Sequence, residues 1–363
     1  MSVNDVIMYV MAGGVILGGV DLLLGNKKGY GKKFEEGFSF LGTLGLSMAG
    51  IICLAPLIAK LLKPVILPFY RLIGADPSMF ASILAIDMGG YPLAMELAQN
   101  PLLGIYSGII VASMFGCTLV FVIPIGFWMI NKEDYSYFSK GLMIGLATMP
   151  IGTIVGGLTV GLPISLILCN NIPIFFLSGV LIIGLYKIPE KMEQFFLVFS
   201  LGIKKITIFG LMISAFTYLT GREWIPGLGD LEEAMKTIVS ICIVLLGSLP
   251  ITHLLQKIME KPFQKIGKRM GLDVNAIAGV IIALATILPV FLMIKDMKPK
   301  GKVACVAYLV SAGSVFGAQL GFTMGTQPQW VGALIFAKLS AGIAAFFVAL
   351  LCTKEMKTIN KNG

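Results

Sequence analysis

Charge is what this sequence has least of. Only 13% of its 363 residues are charged, where soluble domains run near about 25%, and mean hydropathy is +0.91. No polar stretch is long enough to form a separate soluble domain. Histidine is nearly absent: His253 is the only one, which excludes a histidine cluster and leaves it a structural role or a proton relay. The six cysteines, Cys53, Cys117, Cys169, Cys242, Cys305 and Cys352, form no CxxC pair and all lie in or beside apolar segments. They read as small buried side chains, with neither a disulfide framework nor a metal site. There is no Walker A loop, no HExxH, no GxSxG and no dinucleotide fingerprint. The net charge of +9 does not point to nucleic acid, because the lysines and arginines sit in short loops with no aromatic interleaving. They fit loops facing the cytoplasm.

What the chain has instead is a succession of apolar segments of membrane-spanning length. Charged interruptions place helices at 3–24, 38–60, 103–130, 140–161, 163–186, 206–220, 237–256, 302–325 and 331–352. Two further apolar stretches, 77–97 and 274–294, are each broken in the middle. The expectation is an all-α polytopic membrane protein of about nine transmembrane helices plus two re-entrant hairpins. The first segment has no positive n-region and is followed by Lys27, Lys28, Lys32 and Lys33. That order is the reverse of a cleaved signal peptide and predicts an uncleaved helix with its N-terminus outside. The basic loops 25–33, 187–191, 257–269 and 295–302, and the tail from Lys354, belong inside. The acidic loop 221–236 belongs outside, and residues 190–205 are expected along the inner surface. Basic loops flank 274–294 on both sides, so a segment that dips in and returns keeps both inside.

The chain also matches itself without gaps at an offset of 197 over residues 34–104. Glu35 and Glu36 fall on Glu232 and Glu233, Gly50 on Gly247, Lys60 on Lys257, Gly74 on Gly271, Asp76 on Asp273 and Pro92 on Pro289. The weight lies in which residues match: turn-formers, acids and the break proline. One integral membrane domain is predicted, with inverted repeat halves at approximately 34–130 and 231–352. Inverted repeats with broken segments near the midplane are the architecture of many secondary transporters.

The break in the first copy is Asp87-Met88-Gly89-Gly90-Tyr91-Pro92. Proline removes a backbone donor, and paired glycines weaken the helix on each side. In a membrane, freed backbone groups are tolerated only where protein or a water-filled cavity satisfies them. A carboxylate at that depth costs about 2.5–3.5 kcal/mol on insertion scales, and a small cation is the simplest compensation. Asp87 has Leu284 as its repeat counterpart, so symmetric scaffolding does not require the acid. A cap on the second half of the hairpin is the other role open to it. Gly89 and Gly90 open the backbone there. Tyr91 offers a cation–π face or a packing ring.

Asn170-Asn171-Ile172-Pro173 is a second polar break. Its amides suit a hydroxyl or an ammonium, or else the carbonyls that the proline frees. Thr286, beside Pro289, and Gln319, within 302–325, complete the candidate substrate-binding set. Asp21 and Glu96 lie near segment ends, where interfacial water is in reach. Small-xxx-small spacings such as Gly14/Gly18 and Gly152/Gly156 permit close helix packing.

Several motifs carry a family resemblance: Phe34-Glu35-Glu36-Gly37-Phe38, Pro77-Ser78-Met79-Phe80-Ala81, Asp87-Met88-Gly89-Gly90, Ile188-Pro189-Glu190-Lys191-Met192 and Ile225-Pro226-Gly227-Leu228. Over essentially its whole length the chain resembles the ethanolamine permease family, EutH-type, of bacterial ethanolamine-utilisation operons. The resemblance implies a multi-pass bacterial cytoplasmic-membrane protein that imports ethanolamine. The chain departs from the family pattern at Thr286-Ile287, where many members carry two asparagines, and at Ala318-Gln319, where many carry an acid and a histidine. The expected function is import of a small protonated amine by alternating access, its ammonium on Asp87 and its alcohol on amides or hydroxyls. The alternatives are a channel-like facilitator and a carrier for a different small amine. An enzyme is not expected, because Asp87 has no second deep acid or histidine beside it. The expected partners are ethanolamine, the lipid bilayer and, as an open assembly, a second copy in a homodimer; no cofactor is called for.

Overall fold

A computed structural model describes residues 3–83 and 90–353. Among the described residues every regular element is helical, and eight helices are long and apolar enough to cross a membrane. The protein is an all-α polytopic membrane protein. In chain order its helices are α1 (Val3–Leu23), α2 (Tyr30–Leu72), α3 (Ser78–Ile83), α4 (Gly90–Leu97), α5 (Pro101–Met129), α6 (Tyr135–Val160) and α7 (Ile164–Lys187). There follow α8 (Pro189–Thr220), α9 (Leu231–Arg269), α10 (Val274–Ala283), α11 (Leu288–Met293), α12 (Pro299–Ala312), α13 (Ala318–Thr326) and α14 (Val331–Cys352). The break residues Asp87 and Gly89 lie outside the described residues.

Two helices run to about twice the roughly 20 residues that span a bilayer. Helix α2 has 43 residues and α9 has 39. Each continues past its apolar span, of which the sequence expects only 38–60 and 237–256. The two run antiparallel. Gly229, just before α9, donates its N–H to the Cys53 carbonyl midway along α2, and Lys257, late in α9, donates to the Lys28 carbonyl just before α2. Small residues allow the close approach. A Cβ on Gly37 would sit 2.7 Å from the Leu245 carbonyl carbon and oxygen. On the far side of α9, Gly14 of α1 faces Gly247 backbone to backbone.

Both long helices end the same way. Gly74 and Gly271 take positive φ, 71° and 74°, which other residues adopt only under strain. An aspartate follows each. Asp76 accepts from the Ser78 N–H at 2.9 Å and the Gln99 N–H at 3.0 Å. Asp273 accepts from the Ala276 and Lys298 N–H groups, both at 3.0 Å. Each carboxylate caps the first short helix of its broken stretch and ties it to the chain beyond the second. Helix α3 packs against α4, and α10 against α11.

Other elements differ from expectation. Residues 190–205 belong to one continuous helix, α8, with 206–220. The segment 302–325 is two helices, α12 and α13, separated at Gly313–Gly317. Asp21 does not reach interfacial water: it is buried and accepts from the N–H groups of Lys28, Tyr30 and Gly31, capping α2 from the end of α1. Four unpaired N–H groups at a helix start make such an acceptor favourable. Helices α7 and α8 turn Ile172, Phe176, Val180, Phe195, Val198 and Leu201 outward. That apolar face suits lipid and not water. The largest buried cluster fills the centre, where α5, α6, α12 and α14 meet.

Candidate substrate site

The second break is built by backbone pairing. The chain opens between α10 and α11 at Leu284–Ile287, ahead of Pro289, and again between α12 and α13 at Gly313–Gly317. The two openings meet. Ser314 N–H donates to the Ala283 carbonyl at 2.7 Å, and Phe316 N–H to the Leu284 carbonyl at 2.8 Å. Ser314 holds φ 57° to do so, a left-handed conformation with a strain cost for a non-glycine residue. Gly317 lies so close to the Ala285 carbonyl that no Cβ would fit. Protein groups thus satisfy the backbone that the break frees, as hydrocarbon surroundings require.

A cavity of about 370 Å³ opens beside this crossing. Lys33, Glu36, His253 and Gln256 line one part of it; Ser113, Thr286, Gln319 and Lys338 line another. Lys33 and Glu36 form an ion pair at 2.5 Å, and His253 packs edge-on against Tyr30 with ring centroids 5.6 Å apart. At the polar floor Gln319 is 2% exposed and Lys338 1%. Gln319 Nε2 donates to the Ser113 carbonyl at 3.0 Å, and Lys338 Nζ donates to the same oxygen at 2.9 Å. Gln319 Oε1 is buried with no hydrogen-bond partner. An acceptor left so is costly in a dry interior, and it fits a donor brought by a ligand. Ser113 lies in the wide π-turn stretch of α5, Tyr106–Gly116, a distortion frequent at functional sites.

The structure therefore brings Thr286 and Gln319 together on one cavity. Gly90 begins α4 and is buried. Tyr91 is half-buried: its hydroxyl accepts from Gln327 Nε2 at 2.7 Å, and its ring stands edge-on to Phe322 at 5.8 Å. Those contacts put it against α13, the helix that carries Gln319.

Asn170 and Asn171 are fully buried but do not line this cavity. Asn170 Oδ1 accepts from the Asp76 N–H at 2.7 Å, fixing α7 to the start of the first broken stretch. Asn171 Nδ2 donates to the Tyr106 hydroxyl at 2.7 Å. Each also back-bonds one turn earlier, to the Leu166 and Ile167 carbonyls. The carbonyl facing Pro173 belongs to Cys169, so the amides do not relieve the proline.

Sequence reasoning missed Lys338 and Ser113. Lys338 was visible as a lone charge inside the apolar run 331–352. Ser113 acts through its carbonyl, which no side-chain pattern reveals. Among the described residues no three of His, Cys, Asp and Glu gather as metal ligands. A larger hollow of about 780 Å³, between Tyr135, Ser139, Leu185, Pro189 and Glu193, does not border the second break.

Antiparallel long helices, a backbone crossing at the second break and a polar-floored cavity between spanning helices define a class of polytopic membrane protein with a cavity inside the helical bundle. Known sequences then narrow the class. The profile of the family described as "Ethanolamine utilisation protein, EutH" matches residues 3–352, and the chain belongs to this family. It is 41% identical over 362 residues to a "Probable ethanolamine permease EutH" of Listeria monocytogenes serotype 1/2a (strain 10403S), covering 99% of this chain and 97% of that one. It is 42% identical over 366 residues to "Uncharacterized protein YxeR" of Bacillus subtilis (strain 168), covering 99% of each. With a "Probable ethanolamine permease EutH" of Escherichia coli (strain K12) it shares 38% identity over 401 residues, covering 99% of this chain and 98% of the relative. No solved structure matches it. The protein is a multi-pass bacterial membrane protein of a permease family.

Proposed function

We propose that the protein imports a small protonated amine, ethanolamine, by alternating access between two re-entrant hairpins, 77–97 and 274–294. The observation that carries this reading is the cavity, which extends from charged groups near a basic loop to polar atoms beside a broken stretch. Placing the basic loops inside opens it to the cytoplasm, the inward-facing state of such a carrier. In this reading residues 34–130 and 231–352 are inverted repeats. The antiparallel run of α2 and α9 and the matching roles of Asp76 and Asp273 support it.

Asp87 pairs with the substrate ammonium, Gly89 and Gly90 leave the backbone open beside it, and Tyr91 adds a ring face. Thr286 takes the hydroxyl, and Gln319 Oε1 accepts from a further N–H of the same ammonium. Asn170 acts at a distance, by fixing the base of the first hairpin at Asp76, and Asn171 by bracing Tyr106 of α5. The protein works as a carrier and not as an enzyme. A monocation moving inward gains about 2.3 kcal/mol per 100 mV of membrane potential. By the ten-fold-per-1.4 kcal/mol rule that supports roughly fifty-fold accumulation, so no coupling ion is required.

The test is uptake of labelled ethanolamine into proteoliposomes. Saturable uptake with counterflow supports the carrier. Conductance without saturation would make the protein a channel, and no movement of ethanolamine at all would remove the substrate.

A further inference from the structure

A cavity that receives a cation has little obvious use for a cation of its own. Yet Lys338 sits near the middle of α14, 1% exposed, with its ammonium against the Ser113 carbonyl. One residue earlier the backbone of Ala337 presses on Gly152 of α6, so the helix is held close there. Lys338 takes no part in the ion pairs Lys33–Glu36, Lys63–Glu96 and Lys302–Asp134. The ammonium carries three donors, and its one hydrogen bond among the described residues goes to Ser113. Beside it Gln319 Oε1 lacks a donor altogether. Helix packing alone would be served as well by an apolar side chain, because a buried ammonium with no carboxylate partner among the described residues opposes folding.

We propose that the Lys338 ammonium is a tethered stand-in for the substrate: it occupies the polar floor of the empty carrier, and an incoming primary ammonium takes its place on the Ser113 carbonyl and donates as well to Gln319 Oε1, which the lysine leaves without a donor. This rests on the carrier reading above and says how the empty form crosses back. On the leg that runs empty the lysine supplies the cation that the substrate otherwise brings to the Ser113 carbonyl. Lys338 is then a positioning residue of the transport cycle with two consequences. It competes with substrate for the floor, and it is needed only on the leg that runs empty.

The experiment compares net uptake of labelled ethanolamine into empty proteoliposomes with exchange into proteoliposomes preloaded with unlabelled ethanolamine. The proteins are wild type, Lys338→Met, Lys338→Gln and Lys338→Arg. In the two neutral variants net uptake falls about tenfold or more, exchange stays within about twofold of wild type, and half-saturation for exchange shifts to lower ethanolamine. Lys338→Arg, which keeps the charge, retains net uptake. Exchange in the same vesicles reports that the variant is folded. Equal loss of both modes in a variant that elutes and melts like wild type overturns the inference, as does net uptake unchanged in the neutral variants. If the neutral variants do not fold, failure of net uptake in a folded Lys338→Arg overturns it, and retention supports it. A wild-type protein that moves ethanolamine in neither mode overturns the carrier reading itself, an outcome separate from any effect of Lys338.

Discussion

Gln319 and Lys338 share one acceptor, the Ser113 carbonyl, at 3.0 and 2.9 Å. Three helices meet at that atom: α13 brings the amide, α14 the ammonium and α5 the carbonyl. The arrangement leaves Gln319 Oε1 buried without a donor among the described residues. Polar atoms converge here because the crossing of Leu284–Ile287 and Gly313–Gly317 keeps α13 short and turns its first residues, Ala318 and Gln319, onto the cavity.

Removing that side-chain oxygen is the most local test of the floor. Gln319→Leu keeps the size and loses both polar atoms. A hydrogen bond to a charged group contributes about 1.5–3 kcal/mol, so half-saturation of ethanolamine uptake rises roughly ten- to hundred-fold. Thr286→Val, which loses a neutral hydrogen bond, shifts it less. A concentration series of initial uptake rates reads both variants, and unchanged half-saturation in Gln319→Leu removes Gln319 from the site.

The acid of the first break makes a stronger demand. Asp87→Asn keeps the shape and removes the charge, so uptake is abolished while the protein still inserts in the membrane and purifies as a folded species. Uptake that survives with unchanged affinity contradicts the ion pair between Asp87 and the ammonium.

Asp76 and Asp273 carry stability and not substrate. Each holds two backbone N–H groups at the base of its broken stretch. Loss of a helix cap costs about 0.5–2 kcal/mol, and Asp76, buried, leaves its donors dry. Asp76→Ala is therefore expected to lower the melting temperature of the detergent-purified protein more than Asp273→Ala. Equal melting of both variants and wild type would show that the caps do not hold the stretches closed.

Lys302 of α12 pairs with Asp134 ahead of α6, their side chains 10% and 8% exposed, and its ammonium lies 5.7 Å from the Tyr137 ring. Breaking one side of a buried pair costs about 3–5 kcal/mol, while replacing both partners with apolar residues is often neutral. Lys302→Met alone should melt well below wild type, and Lys302→Met with Asp134→Leu should recover most of the loss. A double variant no better than the single one would mean that the pair acts through its other contacts.

Some of this arrangement was legible in the sequence, and the limit was range. Gly74, Gly271, Asp76 and Asp273 stand out because turns and caps are local chemistry, set within a few residues. Pro101–Met129 and Ile164–Lys187 fall within a few residues of the apolar spans 103–130 and 163–186, because hydropathy alone bounds them. The full lengths of α2 and α9 were not legible, since each helix continues into a stretch where hydropathy drops. The opening at Gly313–Gly317 has no proline and no charge to announce it; it exists because the backbone of Ala283 and Leu284 is waiting across the bundle. Asn170 and Asn171 were visible as polar residues in an apolar helix. Their partners, Asp76 and Tyr106, lie far away in sequence, so a binding role and a bracing role look alike until the helices are packed. Lys338 carried a local signal, yet its meaning depends on Ser113 and Gln319, which reach it from two other helices.

The central claim is that ethanolamine crosses as a cation down the membrane potential. Steady-state accumulation of labelled ethanolamine in proteoliposomes clamped at a series of inside-negative potentials tests it most directly. The account predicts that accumulation rises with potential, about fifty-fold at 100 mV by the charge-transfer arithmetic. Accumulation that stays flat across the series would contradict it.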